Sequence, residues 1–260
     1  MPRVFIFFIL IVIPFTVFSQ KWKLTRYEAT LGIGPTNYFG DIGGSADKSS
    51  WFGLKDISLL GTRPSIYASG RYKIEENMAV KVNLDFIFLG GRDAGSRNAN
   101  RNYSFNTLGL EHSAQFEYSF LTEDRHKYSF ALFNRRGMVN NFSRINFYAY
   151  LGLGGLAFKP SFSPSKLPTN TPTSKFEFLN TSFQYTGIIP AGIGLKYIYN
   201  NYYSFNIEFG GRYAMTDYLD GFTTKFSKYN DIYYSTSFSI VYRIRTDRRG
   251  YPMLFRSSYF

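Results

Sequence analysis

The chain has two histidines, His112 and His126, and no cysteine, which leaves few kinds of chemistry open to it. Hydrolytic and acyl-transfer chemistry needs a nucleophile within reach of a base, and Ser113 directly follows His112. The two stand in an alternating apolar and polar stretch, where neighbouring side chains point to opposite faces, so they cannot meet. His126 lies in the solvated charge run Glu-Asp-Arg-His-Lys. Two histidines without a cysteine do not make a dedicated transition-metal site. Asp217 and Asp220 could hold Ca²⁺, but two carboxylates in a loop do not by themselves define such a site. The expectation is therefore a non-enzyme with no catalytic residue, no cofactor and no metal.

The remaining ionisable groups fall into two sets. Glu28, Arg71, Lys81, Glu111, Glu117, Lys196, Glu208, Arg212 and Arg243 share the polar parity of alternating segments. Buried together, charges of both signs would have to pair, because an unpaired buried charge is costly. The second set is basic and clustered: Lys21, Lys23 and Arg26; Arg125, Lys127, Arg135 and Arg136; Arg245, Arg248, Arg249 and Arg256.

The elements that must position the first set are strands. Over residues 78–88, Met78, Val80, Val82, Leu84, Phe86 and Phe88 hold one parity and Ala79, Lys81, Asn83 and Asp85 the other. Seven more segments repeat this pattern. Leu31 and Ile33 oppose Glu28 and Thr30; Ile66 and Tyr72 oppose Ser69, Arg71 and Lys73; Leu110, Phe116 and Tyr118 oppose Glu111, Gln115 and Glu117. Phe147, Leu151 and Leu153 oppose Asn146, Tyr148 and Gly152; Ile193 and Leu195 oppose Gly194 and Lys196. Phe205, Ile207 and Phe209 oppose Asn206, Glu208 and Arg212, and Phe238, Ile240 and Tyr242 oppose Ser237, Ser239 and Arg243.

Segments of about ten residues, tilted, cross a bilayer, and an even count suits a closed antiparallel barrel. The pattern predicts an all-β, eight-stranded antiparallel transmembrane β-barrel of the outer-membrane type. A soluble β-sandwich is the competing reading, since it too has one apolar and one wet face. Inward Gly32, Gly34, Gly152, Gly154, Gly192 and Gly194 would relieve crowding in a narrow barrel, and its interior is expected to be a solid polar plug rather than an ion path. The 28 Phe and 22 Tyr suit bilayer interfaces, though Tyr-rich sugar-binding sandwiches share that composition.

Met-Pro-Arg followed by the apolar run 4–18 and then Ser19 reads as a secretory signal peptide cut after residue 19. The expected organisation is a signal peptide over 1–19, a barrel over 20–246 and a C-terminal periplasmic tail over 247–260. The tight turns at 75–77 and 200–202 should face the periplasm, along with both ends of the mature chain. The long polar connections 37–61, 89–104, 159–186 and 215–230 should face outside. The connection 121–143 departs from this scheme, because it falls on the short-turn side and is about as long as the outer loops.

The formal charge of +12, or +11 once Arg3 leaves with the signal, does not imply a nucleic-acid partner for an exported barrel. The basic clusters fall at the periplasmic side, where they would meet anionic outer-membrane lipid or dock a periplasmic protein. Arg125, Lys127, Arg135, Arg136, Arg248 and Arg249 are the candidate docking residues.

Several stretches, in order, resemble the PorG-like outer-membrane barrels of the Bacteroidetes type IX secretion system. They are Tyr27-Glu28-Ala29-Thr30-Leu31-Gly32-Ile33-Gly34 running into Asn37-Tyr38-Phe39-Gly40-Asp41-Ile42-Gly43-Gly44, then Arg71-Tyr72-Lys73-Ile74 ahead of the 78–84 strand. Arg101-Asn102-Tyr103-Ser104-Phe105, Leu110-Glu111-His112-Ser113-Ala114-Gln115-Phe116-Glu117-Tyr118 and Thr216-Asp217-Tyr218-Leu219-Asp220 follow. Together they span the mature chain from the first strand to the last loop. His112 departs from the resemblance, standing where an apolar residue is expected. The resemblance implies a non-enzymatic component linking the outer membrane to a periplasmic ring made of a lipoprotein and its partner, with gliding motility in a suitable host. A small porin-like or adhesive barrel acting through its outer loops is the alternative.

Overall fold

A computed structural model describes residues 21–40, 42, 61–93, 102–122, 144–163, 177–224, 230–247 and 251–253. The signal segment 1–19, most of the connection 121–143, and Arg125, Lys127, Arg135, Arg136, Arg248 and Arg249 lie outside the described residues.

The strands are β1 (Tyr27–Phe39), β2 (Arg63–Lys73), β3 (Met78–Arg92), β4 (Ser104–Leu121), β5 (Ile145–Ser163), β6 (Glu177–Leu179), β7 (Gln184–Ile198), β8 (Tyr203–Ala214), β9 (Phe222–Thr224) and β10 (Ile232–Ile244). Eight of them close a barrel in the order β1-β10-β8-β7-β5-β4-β3-β2, each antiparallel to its neighbours. β6 and β9 form a separate two-stranded sheet within the long connections. Closure follows from β1 pairing both β2 and β10, so no strand of the barrel is left with an open edge.

Alternation fixes which face looks inward, since a slip of one residue would turn every side chain to the other face. Leu31 is 65% and Leu153 68% exposed on the outer wall, while Glu28, Lys81, Glu111 and Glu117 are buried inside. A soluble sandwich buries its apolar face; here the apolar face is the exterior and the charged face the interior, so the fold is a transmembrane β-barrel of the outer-membrane type. At the short-turn end the outer wall carries aromatic pairs, Tyr27–Tyr72 with ring centroids 5.0 Å apart and Tyr203–Tyr242 at 5.5 Å, as bilayer-interface girdles do.

The strands outrun the segments read from sequence. β3 continues to Arg92 and β5 to Ser163, and β7 begins at Gln184. Beyond the membrane belt the parity inverts: in β5 the inward residues become Leu156, Phe158 and Phe162, while the outward ones become Lys159 and Ser161. Apolar-out alternation stops there although the strand does not.

Inward tyrosines fit against inward glycines directly across the ladder. Gly194 faces Tyr148 and Gly192 faces Tyr150. A Cβ built on Gly194 would lie 2.3 Å from the Tyr148 ring. At Gly34 a Cβ would lie 1.8 Å from the Thr236 carbonyl oxygen, so β1 and β10 approach there only because no side chain intervenes.

Both tight turns are at one end. Ile74 and Glu75 donate their N–H groups to the Met78 carbonyl, and the Asn200 side chain accepts from the N–H groups of Tyr202 and Tyr203. The described ends of the chain lie there too. The short 3₁₀ turn Lys21–Thr25 accepts at Leu24 O from Thr246 N, 2.9 Å away, and Thr246 bridges Pro252. The first part of the segment expected as a tail therefore folds back on the barrel.

Candidate functional site

The lumen is the most developed polar site among the described residues, and it is filled in layers. Nearest the short-turn end, Arg71 from β2 donates through Nε to Glu117 on β4 (2.5 Å) and through Nη1 to Glu28 on β1 (3.1 Å). Glu28 also receives Lys196 from β7 at 2.5 Å and lies 3.9 Å from Lys73. Lys81 on β3 contacts Glu208 on β8 at 2.6 Å and Glu117 at 3.2 Å. Tyr148 donates its hydroxyl to Glu208 at 2.5 Å, and Asn206 Nδ2 donates to the same oxygen at 3.0 Å. Six of the residues picked out by parity, Glu28, Arg71, Lys81, Glu117, Lys196 and Glu208, are thus one connected network spanning the barrel from wall to wall.

Glu111 and Arg212 lie above that network as a separate pair, Nε to Oε1 3.5 Å, with the Tyr233 hydroxyl donating to the other Glu111 oxygen at 2.7 Å. Arg243 lies below, at the short-turn end, where Nη2 donates to Thr25 Oγ1 at 3.3 Å. Lys73, Asp85, Tyr148, Tyr150 and Tyr233 also belong to the ionic interior and were not among the selected residues. Lys73 and Asp85 share the polar parity that picked out the others; the tyrosines read equally well as interface residues.

The long-loop half of the lumen is not polar, which corrects the expectation of a polar plug throughout. Ile87, Leu89, Phe105, Leu156, Phe158 and Ile188 pack there as a continuous buried cluster. The connection after β8 folds down into it, burying Leu219 and Phe222 completely. Phe222 stacks on Phe162 at 5.6 Å and meets Tyr103 edge-on at 5.4 Å. Thr107 donates to the Leu219 carbonyl at 2.5 Å, and Asp231 accepts from Leu219 N (2.8 Å) and the Tyr38 hydroxyl (2.6 Å). Asp220 accepts from Phe222 N at 2.9 Å, so it closes a turn of the loop. The described part of 215–230 is therefore a folded cork, not the polar outer loop expected of it.

On the outer wall His112 Nε2 lies 3.1 Å from the Tyr185 hydroxyl. Ser113 faces the lumen and accepts from Asn83 and Gln115. The two sides of the wall separate them. His126 lies outside the described residues.

No protein-family model matches the chain, and a search of curated proteins found no match. Among solved structures, the N-terminal β-barrel domain of Pseudomonas aeruginosa OprF aligns with TM-score 0.41 and 10% identity, covering 84% of this chain and 97% of that one. Ail, the attachment invasion locus protein of Yersinia pestis, aligns with TM-score 0.41 and 10% identity over 84% and 98%. The outer membrane protein OprG from Pseudomonas aeruginosa aligns with TM-score 0.43 and 9% identity over 85% and 97%.

Proposed function

We propose that the protein is a non-enzymatic outer-membrane component of the type IX secretion system that anchors a periplasmic ring, formed by a lipoprotein and its partner. The long-loop end faces outside and the short-turn end, with the mature termini, faces the periplasm. The observation that carries this reading is the filled lumen. An ionic network occupies one half and an apolar core the other, which leaves the work of the protein to its two ends. The ordered motifs shared with the PorG-like barrels supply the identity of the partner.

The periplasmic end offers a structured surface for docking. Arg26 lies over the Trp22 ring at 4.8 Å and Arg245 over the Tyr202 ring at 4.5 Å. Tyr251 and Met253, on the segment folded against the amino-terminal turn, stay exposed. Arg125, Lys127, Arg135, Arg136, Arg248 and Arg249 extend the same basic end in sequence. The alternative divides on the same observation: a filled lumen opposes a porin-like role, whereas the folded outer crown suits an adhesive one.

Deletion tests the reading directly. Loss of the protein should block secretion of type IX cargo, and Arg135→Glu with Arg136→Glu should weaken ring association without preventing barrel insertion. Intact secretion after deletion, together with ion conductance in planar bilayers, would favour the porin-like reading instead.

A further inference from the structure

The two ionic layers of the lumen are balanced differently. In the lower layer Arg71, Lys73, Lys81 and Lys196 each lie within ion-pair distance of Glu28, Glu117 or Glu208. In the upper layer one guanidinium, Arg212, serves two carboxylates, Glu111 and Asp85, which stand directly opposite each other across β4 and β3. That guanidinium is already engaged. Its Nε faces Glu111 at 3.5 Å, and Nη1 donates to Ser235 Oγ and, at 3.2 Å, to the Gly210 carbonyl.

Asp85 is 5% exposed, belongs to none of the described ion pairs, and accepts no hydrogen bond at Oδ1. Asn83, 4% exposed and next on the same face of β3, turns Nδ2 to Ser113 and leaves its own Oδ1 without a donor. Both residues line one cavity of about 10 Å³, at the lower limit of room for a water-sized occupant.

The other groups facing the cavity do not resolve the charge. Tyr67 and Tyr233 are phenols, and Glu208 adds a further carboxylate that is matched by Lys81 at 2.6 Å. Lys81 is shared with Glu117 at 3.2 Å, and Tyr150 lies under its ammonium at 5.0 Å. A neutral water would supply a donor to Asn83 but leave the Asp85 charge buried and uncompensated, the costliest arrangement for an ionised group. Two acceptors without donors, one of them a carboxylate, around a void of this size match a single positive charge.

We propose that this chamber is a binding site for one small monovalent cation, held by the side-chain oxygens of Asp85 and Asn83 between β3 and the Glu111–Arg212 pair. A proton and a sodium ion are the two sources of that charge. The site is independent of the secretion reading, since it is enclosed in the wall-to-wall interior and touches neither end of the barrel.

The test uses the folded full-length mature barrel in detergent. If the charge is a proton, infrared spectra at neutral pH should show a protonated-carboxyl C=O band in the wild type that is lost in Asp85→Asn. If it is sodium, the thermal unfolding midpoint should be higher in NaCl than in choline chloride at equal ionic strength. That difference should vanish in Asp85→Asn and shrink in Asn83→Ala. The wild-type measurements stand even where a variant folds poorly. A wild type with neither signal, or a signal that persists unchanged in folded Asp85→Asn, would overturn the proposal.

Discussion

From the short-turn end up to Arg212 the lumen is packed with ions, amides and phenols; from Ile87 to the long-loop end it is packed like the core of a soluble domain. The outer wall changes in step. Around the ionic half it is apolar and belongs in lipid, whereas beside the apolar half β4 and β5 turn Asn106, Lys159 and Ser161 outward. Where lipid surrounds the barrel, the outer face takes the apolar side chains and the polar ones must satisfy each other inside. Where the strands leave the bilayer, the ordinary rule of apolar inside and polar outside returns. The change of filling thus marks where the barrel emerges from the membrane.

The two halves should also fail differently. Glu28 joins Arg71, Lys73 and Lys196, so Glu28→Ala strands buried cations and should give the largest loss, roughly 3–5 kcal/mol in denaturant unfolding of the detergent-folded barrel. A loss under about 1 kcal/mol would mean that the network is solvated and the polar half less dry than described. Leu156→Ala, in the apolar half, should cost roughly 2–5 kcal/mol, set by the cavity it leaves, and a small ligand such as benzene should recover part of that loss. No such recovery is expected for Glu28→Ala, because an apolar ligand does not replace a carboxylate. The smallest effect belongs to the outer wall. His112→Leu removes one hydrogen bond to Tyr185 and adds apolar surface to the lipid face, so the midpoint should move by less than about 1 kcal/mol.

Much of the barrel was legible in the sequence because lipid-facing alternation is a local signal. Leu31, Val82, Leu84, Phe116, Leu151 and Phe238 declare their face by parity alone, and Glu28, Lys81 and Glu208 take the opposite one. Strand ends were not legible, because inverted parity past Leu156 looks like the start of a loop. Nor was the cork: Leu219 and Phe222 stand singly in a polar connection, and only their contacts with Phe162 and Tyr103 give them a role. The pairing of Tyr148 and Tyr150 with Gly194 and Gly192 needs the β5–β7 register, which no single segment contains. Asp85 could be placed on the polar face from sequence, but its lack of a counter-charge depends on how Arg212, three strands away in the chain, is already engaged.

The central claim is that a filled barrel does its work at its periplasmic end. Affinity purification of the tagged protein from detergent-solubilised outer membranes, followed by mass spectrometry, tests this most directly. The ring lipoprotein and its partner should co-purify in amounts comparable to the barrel. Recovery of the barrel without either ring component, from cells whose secretion is intact when the protein is absent, would contradict the account.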